Sequence, residues 1–264
     1  MRLQQFQIDA FSGRAFCGNP AAVVPLTHWV PEACMQAIAA ENQLSETAFV
    51  VPEPGEGSYA LRWFTPTTEV GLCGHATLAA GHVLWEELGE TAPALRFATR
   101  SGVLTLKRAE GLLWMDFPAR PATPRSAPVE LAEALALQPE AVLAADDWLI
   151  VLDSAEALRT LSPDMRQLAG LDLRGVIATA ADDGEYDFLS RFFAPSCGID
   201  EDPVTGSAHC TLAPYWGERL GRQRLRGYQA SQRGGTVECR YDGDRVHLGG
   251  RAVTFLRGEI EIPG

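Results

Sequence analysis

Basic residues are scarce in this sequence. It has 22 Lys and Arg against 34 Asp and Glu over 264 residues, which gives a net charge of −12. Nucleic acids and anionic membrane surfaces are bound through clustered Lys and Arg. The composition therefore argues against both as partners and favours a protein that acts on small molecules.

The features of a leader segment and long apolar runs are also lacking in this sequence. The start, "MRLQQFQIDAF", has neither a basic n-region nor an apolar h-region. No uninterrupted apolar run approaches the length of about 18 residues that a membrane helix needs. These features predict a cytoplasmic protein without a membrane-spanning segment.

Motifs for metals, disulfides and nucleotide cofactors are lacking as well. The six cysteines include no C-x-x-C pair, and the five histidines show neither H-x-x-x-H nor H-E-x-x-H spacing. No G-x-G-x-x-G follows a predicted strand. Because zinc sites and dinucleotide sites carry these signatures, we predict that the protein holds no metal and no cofactor.

Short strand-like segments dominate what is present, and each is bounded by Gly, Pro, Asp or Asn. Helical spacing occurs in "PEACMQAIAAENQ" and "PVELAEALAL". The proline-rich segment 118–128 is the predicted linker, so the N-terminal lobe covers 1–117, completed by a strand near 254–264, and the C-terminal lobe covers 118–253. The predicted strands are "LQQFQIDAF", "SETAFVVP", "YALRWF", "GVLTLKR", "GLLWMDF", "DDWLIVLD", "YDFLSRFF", "TVECRY", "RVHLGG" and "AVTFLRGEIEI".

An internal repeat indicates a duplication. "RWFTPT" (62–67) resembles "RFFAPS" (191–196), and each leads into a turn and then into a run without charge, "ATLAAGHVLW" or "AHCTLAPYW". A helix that is apolar on every side must be enclosed by other structure, and a curved sheet is the enclosure expected in a strand-rich chain. We predict an α+β fold with two pseudo-symmetric lobes, each a curved, mostly antiparallel, barrel-like sheet around a central helix. Pro214 predicts that the second helix kinks or starts late.

A glycine begins each of these predicted helices, Gly74 in "GLCGH" and Gly206 in "VTGSAH". The first backbone N–H groups of a helix lack intrahelical partners, and together with the helix dipole they bind anions. If both helix ends face one cleft, they can hold a carboxylate and stabilise the enolate-like charge that forms when the adjacent carbon loses a proton.

A family resemblance rests on four segments in order along nearly the whole chain: "DAFSGRAFCGNPAAVV" (9–24), "NQLSETAFV" (42–50), "RWFTPTTEVGLCGHATLAAGHVL" (62–84) and "RFFAPSCGIDEDPVTGSAH" (191–209). With "SQRGG" (231–235), they resemble the phenazine-biosynthesis isomerase (PhzF-like) family. The resemblance implies the diaminopimelate-epimerase-like fold, a homodimer, and a cofactor-independent isomerase that moves a proton on a small carboxylate. The family's founding substrate is trans-2,3-dihydro-3-hydroxyanthranilate.

The resemblance also implies the site residues. It places the family's site residues at Glu46, His75, Asp202 and Ser207. We expect catalytic roles for Glu46, His75 and Asp202 and substrate binding by His75 and Ser207, together with the helix-end glycines Gly74 and Gly206. From the residues themselves, Glu46 lies at the edge of a buried strand, where desolvation would raise its pKa toward neutrality, so that one carboxyl takes and returns a proton. Asp202 is expected to be an orienting carboxylate, and Asp200 and Glu201 to lie in a solvated turn.

Two other functions stay open at this point. An amino-acid racemase or epimerase on the same fold would need Cys73 to act with a second thiol across the cleft, whereas the repeat aligns Cys73 with Thr205. A noncatalytic ligand-binding protein would keep the cleft without turnover.

Overall fold

The structure, a computed structural model, describes residues 1–172 and 174–262. The chain divides into two compact units. Unit 1 comprises Met1–Asp116 and the described residues from Gly249 onward, and unit 2 comprises Phe117–Leu248. Each unit combines strands of a mixed sheet with a few helices, which is the α+β class that the sequence predicts.

The helices are α1 (Glu32–Asn42), α2 (Gly74–His82), α3 (Val129–Leu135), α4 (Ala155–Thr160), α5 (Met165–Leu168) and α6 (Gly206–Leu220). A π-helical turn, Val83–Glu87, continues α2. The strands are β1 (Arg2–Ala10), β2 (Asn19–Pro25), β3 (Glu46–Pro52), β4 (Ser58–Phe64), β5 (Glu69–Val70), β6 (Ala94–Thr99), β7 (Gly102–Ala109), β8 (Leu112–Pro118), β9 (Thr123–Pro124), β10 (Ala141–Ala144), β11 (Trp148–Val151), β12 (Val176–Ala181), β13 (Phe188–Phe193), β14 (Arg224–Gln229), β15 (Gly235–Asp242), β16 (Arg245–Gly250) and β17 (Ala252–Glu261).

The sheet of unit 1 runs in the order β17, β1, β2, β3, β4, β6, β7, β8. The pairs β2–β3 and β4–β6 are parallel and the others are antiparallel. A parallel pair needs a crossover connection, and α1 and α2 lie in these two connections. The C-terminal strand predicted near 254–264 is β17, which pairs with β1, while residues 263 and 264 lie outside the described part.

Helix α2 is the central helix of unit 1. It packs against β1, β2, β3 and β17, and every residue from His75 to Gly81 is buried. Gly81 lets α2 lie close to Leu106 on β7, because a Cβ at Gly81 would lie 2.0 Å from a Leu106 methyl carbon. The charge-free segment therefore forms the enclosed helix that the sequence predicts.

The sheet of unit 2 runs in the order β15, β14, β13, β12, β11, β10, β9. Its parallel pairs are β11–β12 and β13–β14, so it repeats the alternation of parallel and antiparallel pairs found in unit 1. Its long helix, α6, packs against β14 and β15. Among the described strands the sheets are not closed, so the barrel-like closure that the sequence predicts is not formed.

Pro214 lies inside α6 rather than delaying it, because α6 begins at Gly206. Proline has no N–H to donate to the carbonyl four residues earlier, which belongs to Cys210. The backbone N–H of Arg120 donates to that Cys210 carbonyl at 2.9 Å. The prediction of a late start is thus wrong, and a strand-flanking segment satisfies the carbonyl that the proline leaves free.

No helix in the described part of the chain combines the length and apolar character needed to cross a bilayer.

Candidate active site

In unit 1 the structure brings Glu46, Cys73 and His75 together. Glu46 is the first residue of β3, Cys73 is the N-cap of α2, and His75 lies in the first turn of α2. Oε2 of Glu46 lies 3.0 Å from Nε2 of His75. Sγ of Cys73 lies 3.5 Å from Nδ1 of the same ring. The imidazole therefore contacts a carboxylate and a thiol.

Burial and charge act in opposite directions on this cluster. Burial alone raises the pKa of Glu46, but the charge of His75 and contacts with the His75 ring and the Cys73 thiol outweigh it and lower that pKa. Burial alone lowers the pKa of His75, but its Cys73 and Glu46 neighbours raise it well above its usual value. Burial and the Glu46 carboxylate raise the pKa of Cys73 to about 11.

These directions correct one expectation about Glu46. Desolvation was expected to bring its pKa toward neutrality, and that effect alone would do so. The buried histidine reverses the net direction, since an opposite charge at hydrogen-bonding distance favours the ionised carboxyl. These directions favour an ionised Glu46 carboxyl, a protonated His75 ring and a neutral Cys73 thiol.

The Glu46 carboxylate retains capacity to accept a proton. Its Oε2 is buried, yet it accepts no well-directed hydrogen bond from the described residues, so the contact with His75 is an ion pair. No described side chain caps the N-terminus of α2 at Gly74. A carboxylate therefore lies at the start of a helix that has no side-chain cap, and the dipole at a helix N-terminus favours negative charge there.

In unit 2 the second turn is held by hydrogen bonds to Asp202 and Thr205. Thr205 is the N-cap of α6, and its hydroxyl donates to the Asp202 carboxylate at 2.5 Å. The Gln229 side chain, fully buried on β14, accepts from the Thr205 N–H at 2.8 Å and donates to the Asp202 carbonyl at 2.7 Å. The Asp202 carboxylate is thereby fixed ahead of Gly206, the first residue of α6.

Ser207, also in the first turn of α6, is exposed and has a cationic neighbour. Arg174 donates to the Ser207 hydroxyl at 3.1 Å. The same guanidinium makes two hydrogen bonds to the buried carboxylate of Asp147, at 2.9 and 2.5 Å. A bidentate pair of this kind holds the guanidinium in one orientation. A fixed cation thus stands beside the predicted carboxylate-binding hydroxyl.

The duplication extends to an arginine–glutamate pair in each unit. Arg62 on β4 makes two hydrogen bonds to Glu69, both at 2.7 Å. Arg191 on β13 binds Glu201 in the same two-pronged way, at 2.7 and 3.0 Å. Glu201 was predicted to lie in a solvated turn, and this is wrong because Arg191 anchors it. Asp200 is exposed, as expected.

The buried groups of α6 offer no second catalytic thiol beside Thr205. His209 is fully buried, its Nδ1 lies 2.8 Å from the Thr205 carbonyl, and burial lowers its pKa to about 4. Burial raises the pKa of Cys210 to about 12. Thr205 occupies the N-cap position of α6 and Cys73 that of α2, as the repeat alignment predicts.

Sequence reasoning brought out Glu46, His75, Asp202 and Ser207 but missed the two residues that hold the unit 2 turn. Gln229 is 27 residues from Asp202, and Arg174 is 33 residues from Ser207. No local motif marks either residue. Only the strand order, which places the end of β14 beside the turn, could have indicated Gln229.

We predict that Gln229→Met loosens this turn. The substitution keeps the approximate shape but removes the hydrogen bonds to Thr205 and Asp202, and a buried polar group left unpaired costs about 1–3 kcal/mol. The free energy of unfolding, measured by urea denaturation, should fall by about 2–3 kcal/mol. The control is Gln223→Met at an exposed position, and equal stability of the two variants would contradict the prediction.

Comparison with known proteins identifies the family of this chain. The family model described as "Phenazine biosynthesis-like protein" matches residues 8–258. An uncharacterized isomerase of Pseudomonas aeruginosa is 50% identical over 262 residues, which is 99% of this chain and 100% of the relative. A crystal structure of a PhzF-family phenazine biosynthesis protein from Enterococcus faecalis is 44% identical, with a TM-score of 0.96 and coverage of 99% of this chain and 100% of that one.

A more distant likeness concerns the fold alone. The structure of a predicted epimerase from Pseudomonas aeruginosa has a TM-score of 0.75 at 24% identity and covers 99% of this chain and 100% of that one.

Together, the α+β fold and the relatives define an isomerase. The chain belongs to the phenazine biosynthesis-like (PhzC-PhzF) family.

Proposed function

We propose that the protein is a cofactor-independent isomerase that moves a proton between two carbons of a small carboxylate, with Glu46 as the general acid and base. The observation that carries the proposal is the buried contact between Glu46 and His75, 3.0 Å long, at the uncapped N-terminus of α2. A carboxylate held beside a buried cation, with one oxygen free of directed hydrogen bonds, suits proton abstraction from carbon.

The proposed reaction has two proton transfers. The Glu46 carboxylate takes a proton from a carbon adjacent to, or conjugated with, the substrate carboxylate, and the C–H electron pair moves into the conjugated system as an enolate-like charge. The His75 imidazolium and the N–H groups of α2 stabilise that charge. The Glu46 carboxyl then returns the proton to another carbon, so atoms and electrons balance without a redox partner.

The roles of Asp202 and Ser207 come from the family resemblance. Asp202 is proposed to be an orienting carboxylate and Ser207 a donor to the substrate carboxylate. The fixed guanidinium of Arg174 beside Ser207 supports this role, since guanidinium groups bind carboxylates through paired hydrogen bonds. Gly74 and Gly206, the first residues of α2 and α6, are proposed to present backbone N–H groups.

The resemblance makes trans-2,3-dihydro-3-hydroxyanthranilate the first substrate to test and a homodimer the expected assembly. The test of function is incorporation of solvent deuterium into this compound and a panel of small carboxylates, read by mass spectrometry. A substrate isomerised with deuterium gained at carbon supports the proposal. If a carboxylate in the panel binds to the protein but gains no deuterium, the result would favour the noncatalytic alternative.

The same panel separates isomerase from racemase. A shift of a double bond, or of a proton between carbons, is the expected product. Exchange at one α-carbon with inversion of its configuration, and no other change, would instead identify a racemase or epimerase.

We predict that His75→Gln shifts the activity–pH profile. The reaction needs ionised Glu46, and because His75 contributes to lowering the Glu46 pKa, its removal raises that pKa. The acid limb of the profile should therefore move to higher pH. The wild type should lose activity as the pH rises through the raised His75 pKa, whereas the variant should lack that alkaline limb.

The readout for His75→Gln is kcat/KM against pH for whichever carboxylate is turned over. The control is His28→Gln, at an exposed histidine, which should keep the wild-type profile. An unchanged acid limb in His75→Gln would show that His75 does not set the ionisation of Glu46.

A further inference from the structure

Three side chains that can bind a metal ion lie close together at the N-terminus of α2. The Glu46 carboxylate, the Cys73 thiol and the His75 imidazole each offer one atom, and these atoms lie within 4.8 Å of one another. Nε2 of His75 is 3.0 Å from Oε2 of Glu46 and 4.0 Å from Sγ of Cys73. All three side chains are at least largely buried.

This donor set matches zinc better than other common divalent ions. Zinc binds thiolate, imidazole and carboxylate at about 2.0–2.3 Å, so two ligand atoms of one zinc ion lie about 3–4 Å apart. The distances from Nε2 of His75 to the carboxylate and to the thiol are in this range. Magnesium and calcium prefer several oxygen ligands, and the cluster supplies one carboxylate. A thiolate and a carboxylate also neutralise the charge of Zn²⁺, which matters in a buried site.

We propose that Glu46, Cys73 and His75 form a zinc-binding site whose occupation blocks proton transfer by Glu46. Catalytic zinc sites have three protein ligands and one open position, and this cluster provides three. Binding displaces the protons of Cys73 and His75 to solvent. The Glu46 carboxylate then coordinates the zinc ion and cannot accept the substrate proton.

The two halves of this proposal have different foundations. Zinc binding rests only on the geometry of the three side chains. Inhibition rests on the proposed function, because it requires that Glu46 is the base. The zinc ion is an inhibitor here, so removal of metal with a chelator should leave activity intact or raise it.

The binding test uses the purified full chain, stripped of metal with a chelator and desalted. Zn²⁺ is titrated against a chromogenic zinc indicator, and Co²⁺ serves as a spectroscopic probe. We expect one equivalent of tight Zn²⁺ and a near-ultraviolet thiolate-to-cobalt charge-transfer band. Loss of a supporting residue around a metal site typically costs 10–100-fold in affinity, so loss of a ligand in Cys73→Ser should weaken zinc binding by roughly 100-fold or more and abolish the band.

The matched control is Cys34→Ser, which removes another unit 1 thiol, on α1, and should bind zinc like the wild type. Circular dichroism checks that each variant is folded. Absence of tight zinc binding in the folded wild type, or equal affinity in Cys73→Ser, would overturn the site.

Inhibition is then measured in the deuterium-exchange assay. Activity should fall in proportion to zinc occupancy and return on chelation. Full activity at full occupancy would overturn the inhibitory role while leaving the binding result standing. If Glu46 proves not to be the base, the titration still decides whether zinc binds, so the two failures are distinguishable.

Discussion

Glu46→Gln is expected to lower the rate of isomerisation by about 10²-fold or more, the usual scale for removal of a general acid or base. Glutamine keeps the shape and the reach of the side chain but cannot accept the substrate proton. Substrate affinity should change little, because the N–H groups at the start of α2 remain. The measurement is kcat and KM, with the rate of deuterium incorporation, on the same carboxylate.

Cys73→Ser is the comparison that separates a carboxylate mechanism from a thiol mechanism. It alters the same cluster, since Sγ of Cys73 lies 3.5 Å from Nδ1 of His75, yet leaves the proposed base in place. Cys73→Ser should therefore lose far less activity than Glu46→Gln. An active Glu46→Gln beside an inactive Cys73→Ser would refute the glutamate mechanism and favour an epimerase that uses Cys73.

Trp216→Ala is expected to reduce the free energy of unfolding by about 3–5 kcal/mol, the range for truncation of a buried aromatic side chain. Trp216 on α6 is 1% exposed and lies parallel to the Phe188 ring, with centroids 5.8 Å apart. Its Nε1 donates to the hydroxyl of Thr179 on β12 at 2.9 Å. The alanine variant loses both the ring contact and the hydrogen bond.

Two variants test the origin of this loss, and urea denaturation is the measurement for both. Trp216→Phe retains an aromatic ring but not the N–H, so its loss should be smaller than that of the alanine variant. Trp29→Ala removes an exposed tryptophan and should cost less than about 1 kcal/mol. Equal free energies of unfolding for Trp216→Ala and Trp29→Ala would show that the buried Trp216 ring does not stabilise the packing of α6.

Periodicity predicted many of the strands but missed others, including two that break the usual pattern. All ten predicted strand segments contain strands, and α1 and α3 lie where helical spacing indicated. Strand β2, "NPAAVVP", was missed because prolines stand at its second and last positions, where a strand interior disfavours them. Strand β14, "RLRGYQ", carries few of the residues typical of strands.

The central helices were predictable for a different reason. Their segments carry no charge over about ten residues, so solvent exposure of any face would have been costly. The sequence could not show that α2 continues into a π-helical turn at Val83–Glu87. It also could not show that a backbone N–H from Arg120 lets α6 continue through Pro214.

For the candidate site, the sequence predicted which residues to examine but not how they interact. Glu46 and His75 came from the family resemblance, while their ion pair depends on the position of β3 beside α2. The expected rise in the Glu46 pKa was wrong in its net direction. An apolar segment around Glu46 indicates desolvation, but the sequence does not show that a cation lies beside the carboxylate. A search for metal ligands by local spacing missed the cluster, since Glu46 is distant in sequence from Cys73 and His75.

The position of β17 in unit 1 has a consequence for synthesis on the ribosome. This strand pairs along the whole of β1, yet it follows all of unit 2 in the sequence. A nascent chain therefore contains every residue of unit 2 before it contains the last strand of unit 1. Although domains generally fold in the order of their translation, here the unit translated first is completed last, and β1 has an unpaired edge until β17 emerges.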